Sequence, residues 1–136
     1  MKFILAALGA MLLLTGCGSE HQAATGGANQ PKAVYRQVSA ADAAALMESE
    51  SDYIILDVRT QAEYDQGHIP GAICIPNETI GSDDIPQLPD KGQLILVYCR
   101  SGNRSRQASQ KLADAGYTNI VEFGGILSWT GETIPS

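Results

Sequence analysis

Cys99 is followed by Arg100, Ser101, Gly102, Asn103, Arg104 and Ser105, and this run joins a strongly apolar stretch, Leu94 to Tyr98, to a stretch of helical spacing that begins near Arg106. The order is strand, loop, helix. A cysteine delivered at the C-terminal end of a strand faces the backbone N–H groups of a helix start, and such donors favour an anion. Flanking arginines add positive charge. A free cysteine has a pKa of about 8.5, and these surroundings depress it to between roughly 3.5 and 7.5, leaving thiolate abundant at neutral pH. The chemistry this predicts is nucleophilic attack by a thiolate on an anionic substrate. A buried, inert cysteine ending a core strand is the bland alternative, and an arginine-rich loop is the wrong setting for it.

The charge distribution sharpens this reading. The chain carries a formal net charge of -6, which argues against nucleic acid as a partner because binding a phosphate backbone needs a basic face. Yet Arg100, Arg104 and Arg106 crowd around Cys99, and no acid occurs between Asp90 and Asp114. An anionic protein has placed a cationic island at its thiol. Arg106 lies past the loop and is left out of the candidate site. With one histidine, His68, in the part expected to fold, His21 in the flexible segment before it and no cysteine pair at ligand spacing, neither a metal nor an organic cofactor is expected.

The elements that must position this loop can be read from the flanking pattern. Val34 to Val38 reads as a short strand, and Ser39 with Asp42 caps a following helix. Tyr53 to Leu56 is a strand that ends at Asp57-Val58-Arg59, after which Thr60 and Glu63 form a capping box for a short helix reaching Gly67. Ala72 to Ile75 is a further strand, and Asn77 to Gly92 reads as loop, with Pro86 and Pro89 opposing long helices. Leu94 to Tyr98 is too apolar to have a solvent face, as a central parallel strand covered on both sides requires. Ala108, Leu112 and Ala115 recur at helical spacing with Gly116 as the cap; Asn119 to Phe123 is a last strand and Ile126 to Trp129 a last helix. Alternating strands and helices imply an α/β fold with a mostly parallel sheet and functional loops at strand C-termini.

The N-terminus is expected to lie outside that fold. Met1-Lys2 followed by apolar Phe3 to Leu14 resembles a secretory signal too short to span a bilayer. Leu14-Thr15-Gly16-Cys17 resembles the lipobox of bacterial lipoproteins, in which Cys17 is acylated and becomes the new N-terminus. The expected division is a signal peptide over 1–16, a lipidated Cys17 with a flexible tether over 17–31, and one domain over 32–136. The protein is thus expected to be exported and lipid-anchored to a bacterial membrane on its periplasmic or cell-surface side. Two acyl chains would hold it there stably without a spanning helix. Gly18 supplies no inner-membrane retention signal of the aspartate kind, which favours the outer membrane where there are two.

Several motifs then converge on one family. Asp57-Val58-Arg59-Thr60, Glu63-Tyr64, Gly67-His68-Ile69-Pro70-Gly71-Ala72, the run from Cys99 to Ser105, and Gly124-Gly125 with Trp129 and Pro135 fall in order, and together they resemble a single-domain rhodanese of the thiosulfate sulfurtransferase family. The resemblance implies a rhodanese-like α/β fold with a central, mostly parallel five-stranded sheet and helices on both faces. It implies that Cys99 carries sulfur as a persulfide, that the N–H groups of Arg100, Ser101, Gly102, Asn103 and Arg104 line a cradle, and that the Arg100 and Arg104 side chains draw in the anion. Asp57, Arg59 and Ser105 would support the loop. Gly102 suits a loop that turns its amides inward through φ angles opposed by a β-carbon. The expected partners are a small anionic sulfur donor such as thiosulfate and a thiol or cyanide acceptor, with ping-pong kinetics and no cofactor.

Three alternatives stay beside it. A carrier or interaction module could hold sulfur without turnover. A cysteine phosphatase shares the plan of strand, thiolate loop and helix but sets five residues between cysteine and arginine; four separate Cys99 from Arg104, a tighter ring better suited to sulfur than to phosphate. Cys74, where the family more often has asparagine, is either a plain strand residue or a redox partner of Cys99, and pairing would make the protein a thiol switch. His68 is expected to be scaffold and Trp129 core or pocket rim.

Overall fold

The computed structural model describes residues 32–81 and 83–136; the expected signal, Cys17 and the tether lie outside them. In chain order the regular elements are β1 (Arg36–Gln37), α1 (Ala40–Ser49), β2 (Tyr53–Asp57), α2 (Gln61–Gln66), β3 (Ile73–Cys74), β4 (Leu94–Cys99), α3 (Asn103–Asp114) and β5 (Ile120–Gly125), with 3-10 turns at Asn77–Thr79 and Ile126–Ser128. The strands form one five-stranded sheet in the order β1-β5-β4-β2-β3, and every pairing in it is parallel.

The centre of the sheet is β4, buried at every position. Its side chains alternate between two cores. Ile95, Val97 and Cys99 pack with Ala108 and Leu112 of α3 on one face; Leu94, Leu96 and Tyr98 pack with Ala43, Leu46 and Tyr64 of α1 and α2 on the other. This double burial is why the strand reads as an unbroken apolar run. The caps of the first two helices are local and match the sequence reading. The Asp42 amide donates to Ser39 Oγ at 3.0 Å, and Thr60 and Glu63 make both halves of the capping box.

The boundaries differ from expectation where few side chains decide them. The edge strands β1 and β3 are two residues each, shorter than the runs around them, because an edge strand pairs on one side only. The stretch from Ile126 closes one 3-10 turn in place of a helix, with the Trp129 amide donating to the Ile126 carbonyl. The consequential difference is α3. It begins at Asn103, not near Arg106, because Gly102 turns the chain with φ 107° and its carbonyl accepts from the Arg106 amide to close the first turn. Arg104 and Ser105 therefore belong to the first turn of a helix, next to the thiol.

Candidate active site

Cys99 ends β4 with its side chain on the α3 face. The Gly102 N–H donates to its Sγ at 3.0 Å, and the Ser105 hydroxyl lies 3.4 Å from the same sulfur. Burial pushes the Cys99 thiol up, but the Ser105 hydroxyl and the amides of Ser105, Gly102 and Ser101 outweigh it, so the thiol ionises below its ordinary value. Of the loop amides, that of Gly102 makes the hydrogen bond to the sulfur, and those of Ser101 and Ser105 add to the lowering of the thiol. Cys99 is 1% exposed.

Two glycines hold the loop in place. At Gly102 the positive φ of 107° is one that L side chains rarely adopt. At Gly125 the reason is space: a Cβ there would overlap the Arg100 carbonyl, which accepts from the Leu127 amide at 3.2 Å. The Gly-Gly pair of β5 is the wall on which the cysteine loop rests.

The arginines divide into three roles. Arg100 is exposed and lines a cleft of about 380 Å³ with Arg59, Glu63, Gln66, Gly67, Ile126 and Leu127. Arg104 is held in a forked pair by Glu63, Nη1 to Oε2 at 2.9 Å and Nη2 to Oε1 at 3.2 Å. The Arg104 guanidinium, by this bond first, holds the Glu63 carboxyl below the usual carboxylate range. Arg59 is buried and bonded to buried Asp57, Nη2 to Oδ2 at 2.6 Å, while the same Nη2 donates to the Gly67 carbonyl at 2.7 Å. Its guanidinium also lies 5.7 Å from the centre of the Tyr98 ring. Asp57 is the register partner of Tyr98, so this pair braces the strand end that delivers Cys99. Arg106 folds back toward the loop: a Cβ on Gly102 would come within 3.1 Å of its Nη1.

One participant, Glu122, escaped the sequence reading, and Ser105 was expected only to support the loop. Ser105 acts on the sulfur itself, beyond supporting the loop, and its hydroxyl lies 2.6 Å from Glu122 Oε1. Glu122 is 3% exposed on β5. The available signal was an acid inside the apolar run Ile120-Val121-Glu122-Phe123, which a strand buried on both faces does not keep without a reason.

The remaining residues settle into supporting places. His68 stacks on Tyr64 with ring centres 3.8 Å apart, and its backbone pairs with Ile134, as a scaffold residue would. Trp129 packs on Phe123. Cys74 pairs in register with Asp57, which pairs with Tyr98. Two strand spacings, about 9–10 Å, therefore separate β3 from β4, beyond the Cα reach of roughly 7 Å for a disulfide. Burial pushes the Cys74 thiol up to about 11. The redox-partner reading of Cys74 has no geometric basis.

Comparison with known proteins bears on this arrangement. A model of the family described as "Rhodanese-like domain" matches residues 39–132. Thiosulfate sulfurtransferase PspE of Escherichia coli (strain K12) is 38% identical over 71 residues, covering 52% of this chain and 68% of that protein. A protein named sulfurtransferase from Allochromatium vinosum is 38% identical over 87 residues, covering 62% of this chain and 78% of its own length. The solution structure of a rhodanese-like domain from Anabaena sp. superposes with a TM-score of 0.67 at 30% identity, covering 76% of this chain and 81% of that one.

Proposed function

Because the chain belongs to the rhodanese-like domain family, we propose that it is a sulfurtransferase that moves sulfur from thiosulfate or a related anionic donor to a thiol or cyanide through a persulfide on Cys99. Sulfur transfer in general is the activity in the names of its relatives. The observation that carries the finer reading is the Gly102 amide, at the start of α3, donating to the Cys99 sulfur at 3.0 Å.

The steps follow from this geometry. The Cys99 thiolate attacks the outer sulfur of thiosulfate; a sulfur–sulfur bond forms to Cys99, the bond to the inner sulfur breaks, and sulfite leaves with that electron pair. The persulfide anion stays where the thiolate was, facing the amides of Ser101, Gly102 and Ser105. Cyanide or a thiolate then attacks the terminal sulfur and Cys99 leaves as thiolate, so each half-reaction is a separate displacement. Arg100, exposed at the cleft, meets the incoming anion. Arg104 joins it by exchanging Glu63 for the donor.

The same proposal places this chemistry outside the cytoplasm, on a lipid anchor at Cys17 after removal of residues 1–16. The test of the anchor is metabolic labelling with a fatty acid: label is expected on the full chain and lost in Cys17→Ala. The test of the chemistry is incubation with thiosulfate followed by mass spectrometry. One added sulfur atom on Cys99, removed by cyanide as thiocyanate, is expected. Sulfur that stays on through cyanide treatment would make the protein a carrier, and no added sulfur would end the proposal.

A further inference from the structure

The cleft beside the cysteine loop is larger than the inorganic participants in the reaction need. At about 380 Å³ it falls in the range of about 300–1,000 Å³ typical of pockets that enclose small organic ligands, whereas thiosulfate, sulfite and cyanide are compact ions that fill a fraction of it. Its walls differ. Glu63, Gln66 and Gly67 make one side polar, and Ile126 and Leu127 make another apolar, with Arg100 beside them. A single exposed leucine is ordinary on a protein surface, and this one is informative by its place. Leu127 is 69% exposed, and its amide donates to the Arg100 carbonyl at 3.2 Å, so an apolar side chain is held against the residue that follows the nucleophile. The wall is also fixed from behind. Ile126 packs on the core shared by Leu96 and Tyr98, the Trp129 amide closes the turn onto the Ile126 carbonyl at 3.1 Å, and Gly125 stands too close to the Arg100 carbonyl to carry a Cβ.

The charges of the cleft are already matched, with one exception. Arg59 is taken by Asp57 and Glu63 by Arg104, whereas Arg100 makes no ion pair among the described residues. An inorganic anion answers Arg100 but leaves Ile126 and Leu127 without a partner, because it has no apolar surface to bury. An organic thiol that carries a carboxylate answers both. We propose that this cleft is the acceptor site, that its occupant is a small aliphatic thiol bearing a carboxylate, and that Leu127 is the residue that selects this acceptor over cyanide. Donor and acceptor use Arg100 in turn, since sulfite has left before the acceptor binds. In the transfer, the acceptor sulfur bonds to the terminal sulfur of the Cys99 persulfide anion, the S–S bond to Cys99 breaks, and Cys99 keeps that electron pair as thiolate. The proton of the acceptor thiol ends on the terminal sulfur, and an organic persulfide departs. The inference rests on the proposed Cys99 persulfide and narrows its acceptor.

The test uses the full chain loaded with sulfur by thiosulfate and then freed of it. Mass spectrometry follows the loss of sulfur from Cys99 after addition of mercaptopropionate, its methyl ester or cyanide, each below saturation. Comparing parent and variant with one acceptor at a time cancels that acceptor's own reactivity. Leu127→Ser is expected to slow loss to mercaptopropionate by about four- to fifteen-fold, the worth of one or two buried methylenes, to slow loss to the ester as well, and to leave loading and loss to cyanide unchanged. Leu127→Met keeps an apolar contact and is expected to stay near the parent rates. Arg100→Gln, once loaded, is expected to slow loss to mercaptopropionate more than loss to the ester. Loss to cyanide slowed as much as loss to mercaptopropionate, a Leu127→Ser variant that treats both thiols as the parent does, or an Arg100→Gln effect equal for acid and ester overturns the proposal. Sulfur removed by cyanide and by neither thiol also ends it and points to a protein thiol. No sulfur on Cys99 after thiosulfate ends both readings, whereas loaded sulfur whose loss ignores Leu127 ends this one and leaves sulfur transfer standing.

Discussion

Asp57 and Glu122 are both buried acids on the strands that flank β4, one opposite Tyr98 and the other opposite Val97. On the α1/α2 face, Asp57 has Arg59 against both its oxygens, and Arg59 spends its remaining reach on the Gly67 carbonyl. Its charge is neutralised in place, and the pair serves as a brace. On the α3 face, Glu122 has a serine, an amide and a distant glutamine, and beyond the serine a thiol. The difference lies in the counter-ion. A buried acid paired with an arginine holds structure, whereas Glu122 has only neutral partners, one of which, Ser105, reaches on to the Cys99 sulfur. The two faces of one sheet end therefore divide the work, one fixing the strand end and the other placing the Ser105 hydroxyl against its sulfur.

The largest expected effects break this division at its two centres. Cys99→Ser removes the nucleophile and is expected to abolish sulfur loading from thiosulfate, measured by mass spectrometry, while the unfolding midpoint in urea stays near that of the parent. Asp57→Ala is expected to do the opposite in kind. It leaves the Arg59 guanidinium buried without its partner and costs about 3–5 kcal/mol of stability, read from the same unfolding curve. A stability loss in Cys99→Ser as large as that in Asp57→Ala would contradict the division.

The glycine wall comes next. Gly125→Ala forces a Cβ onto the Arg100 carbonyl, so the loop must move by a large fraction of an ångström or more; a displacement of that order at reacting atoms costs about 10²-fold in rate. Its neighbour provides the control. Gly124→Ala meets nothing within 4 Å but carries a φ of +86°, so strain of about 1–2 kcal/mol in stability with most of the activity retained is expected. Equal activity losses in the two variants would mean that the wall does not place the loop.

Much of this arrangement was legible in the sequence because it is local. The Thr60 capping box and the turn at Gly102 each depend on a handful of consecutive residues, whereas Asp57 and Arg59 were expected only as loop support through the family resemblance and their ion pair came from the structure. The apolar run of β4 announced a strand covered on both faces. What stayed hidden joins distant positions: Ser105 to Glu122 across 17 residues and Glu63 to Arg104 across 41. Glu63 in particular had a sufficient local explanation as a capping residue, which masked its second partner. The start of α3 was set too late because a run of polar residues after a cysteine reads as loop when the helix it opens shows apolar spacing only from Ala108.

A smaller effect distinguishes the two thiols of the described domain. The Cys99 thiol is held below its ordinary value by hydrogen bonds, whereas the Cys74 thiol is pushed up to about 11 by burial. Thiolate exists above the thiol's pKa, so Cys99 should be sulfurated or alkylated at lower pH than an ordinary thiol, with Cys74 silent until strongly alkaline conditions. The sign carries over to stability. Ionisation of Cys99 stabilises the fold above the ordinary thiol pKa, and that contribution is lost as pH falls through the depressed value. Peptide mapping after a short exposure to iodoacetamide at neutral pH checks the order; label on Cys74 ahead of Cys99 would reverse it.

The smallest expected effect concerns the ion pair that crosses from one face to the other. Arg104 sits on α3 and Glu63 on α2, and their side chains remain 26% and 34% exposed, so solvent screens the pair and its worth is about 0.2–1 kcal/mol. If an anionic donor must displace Glu63 from Arg104, that energy is spent at each binding event. Glu63→Gln removes the charge yet keeps a side chain able to close the Thr60 capping box, so the helix is left intact. The expected outcome is a fall in KM for thiosulfate of about 1.4- to five-fold, with kcat and the unfolding midpoint unchanged, and a weaker dependence of KM on ionic strength. An unchanged KM would mean that Arg104 stays on Glu63 while the donor binds, leaving Arg100 to meet the anion. A raised KM would mean that Glu63 holds Arg104 in its working position, so that the pair belongs with the Asp57–Arg59 brace and the two faces share one structural device at the mouth of the cleft.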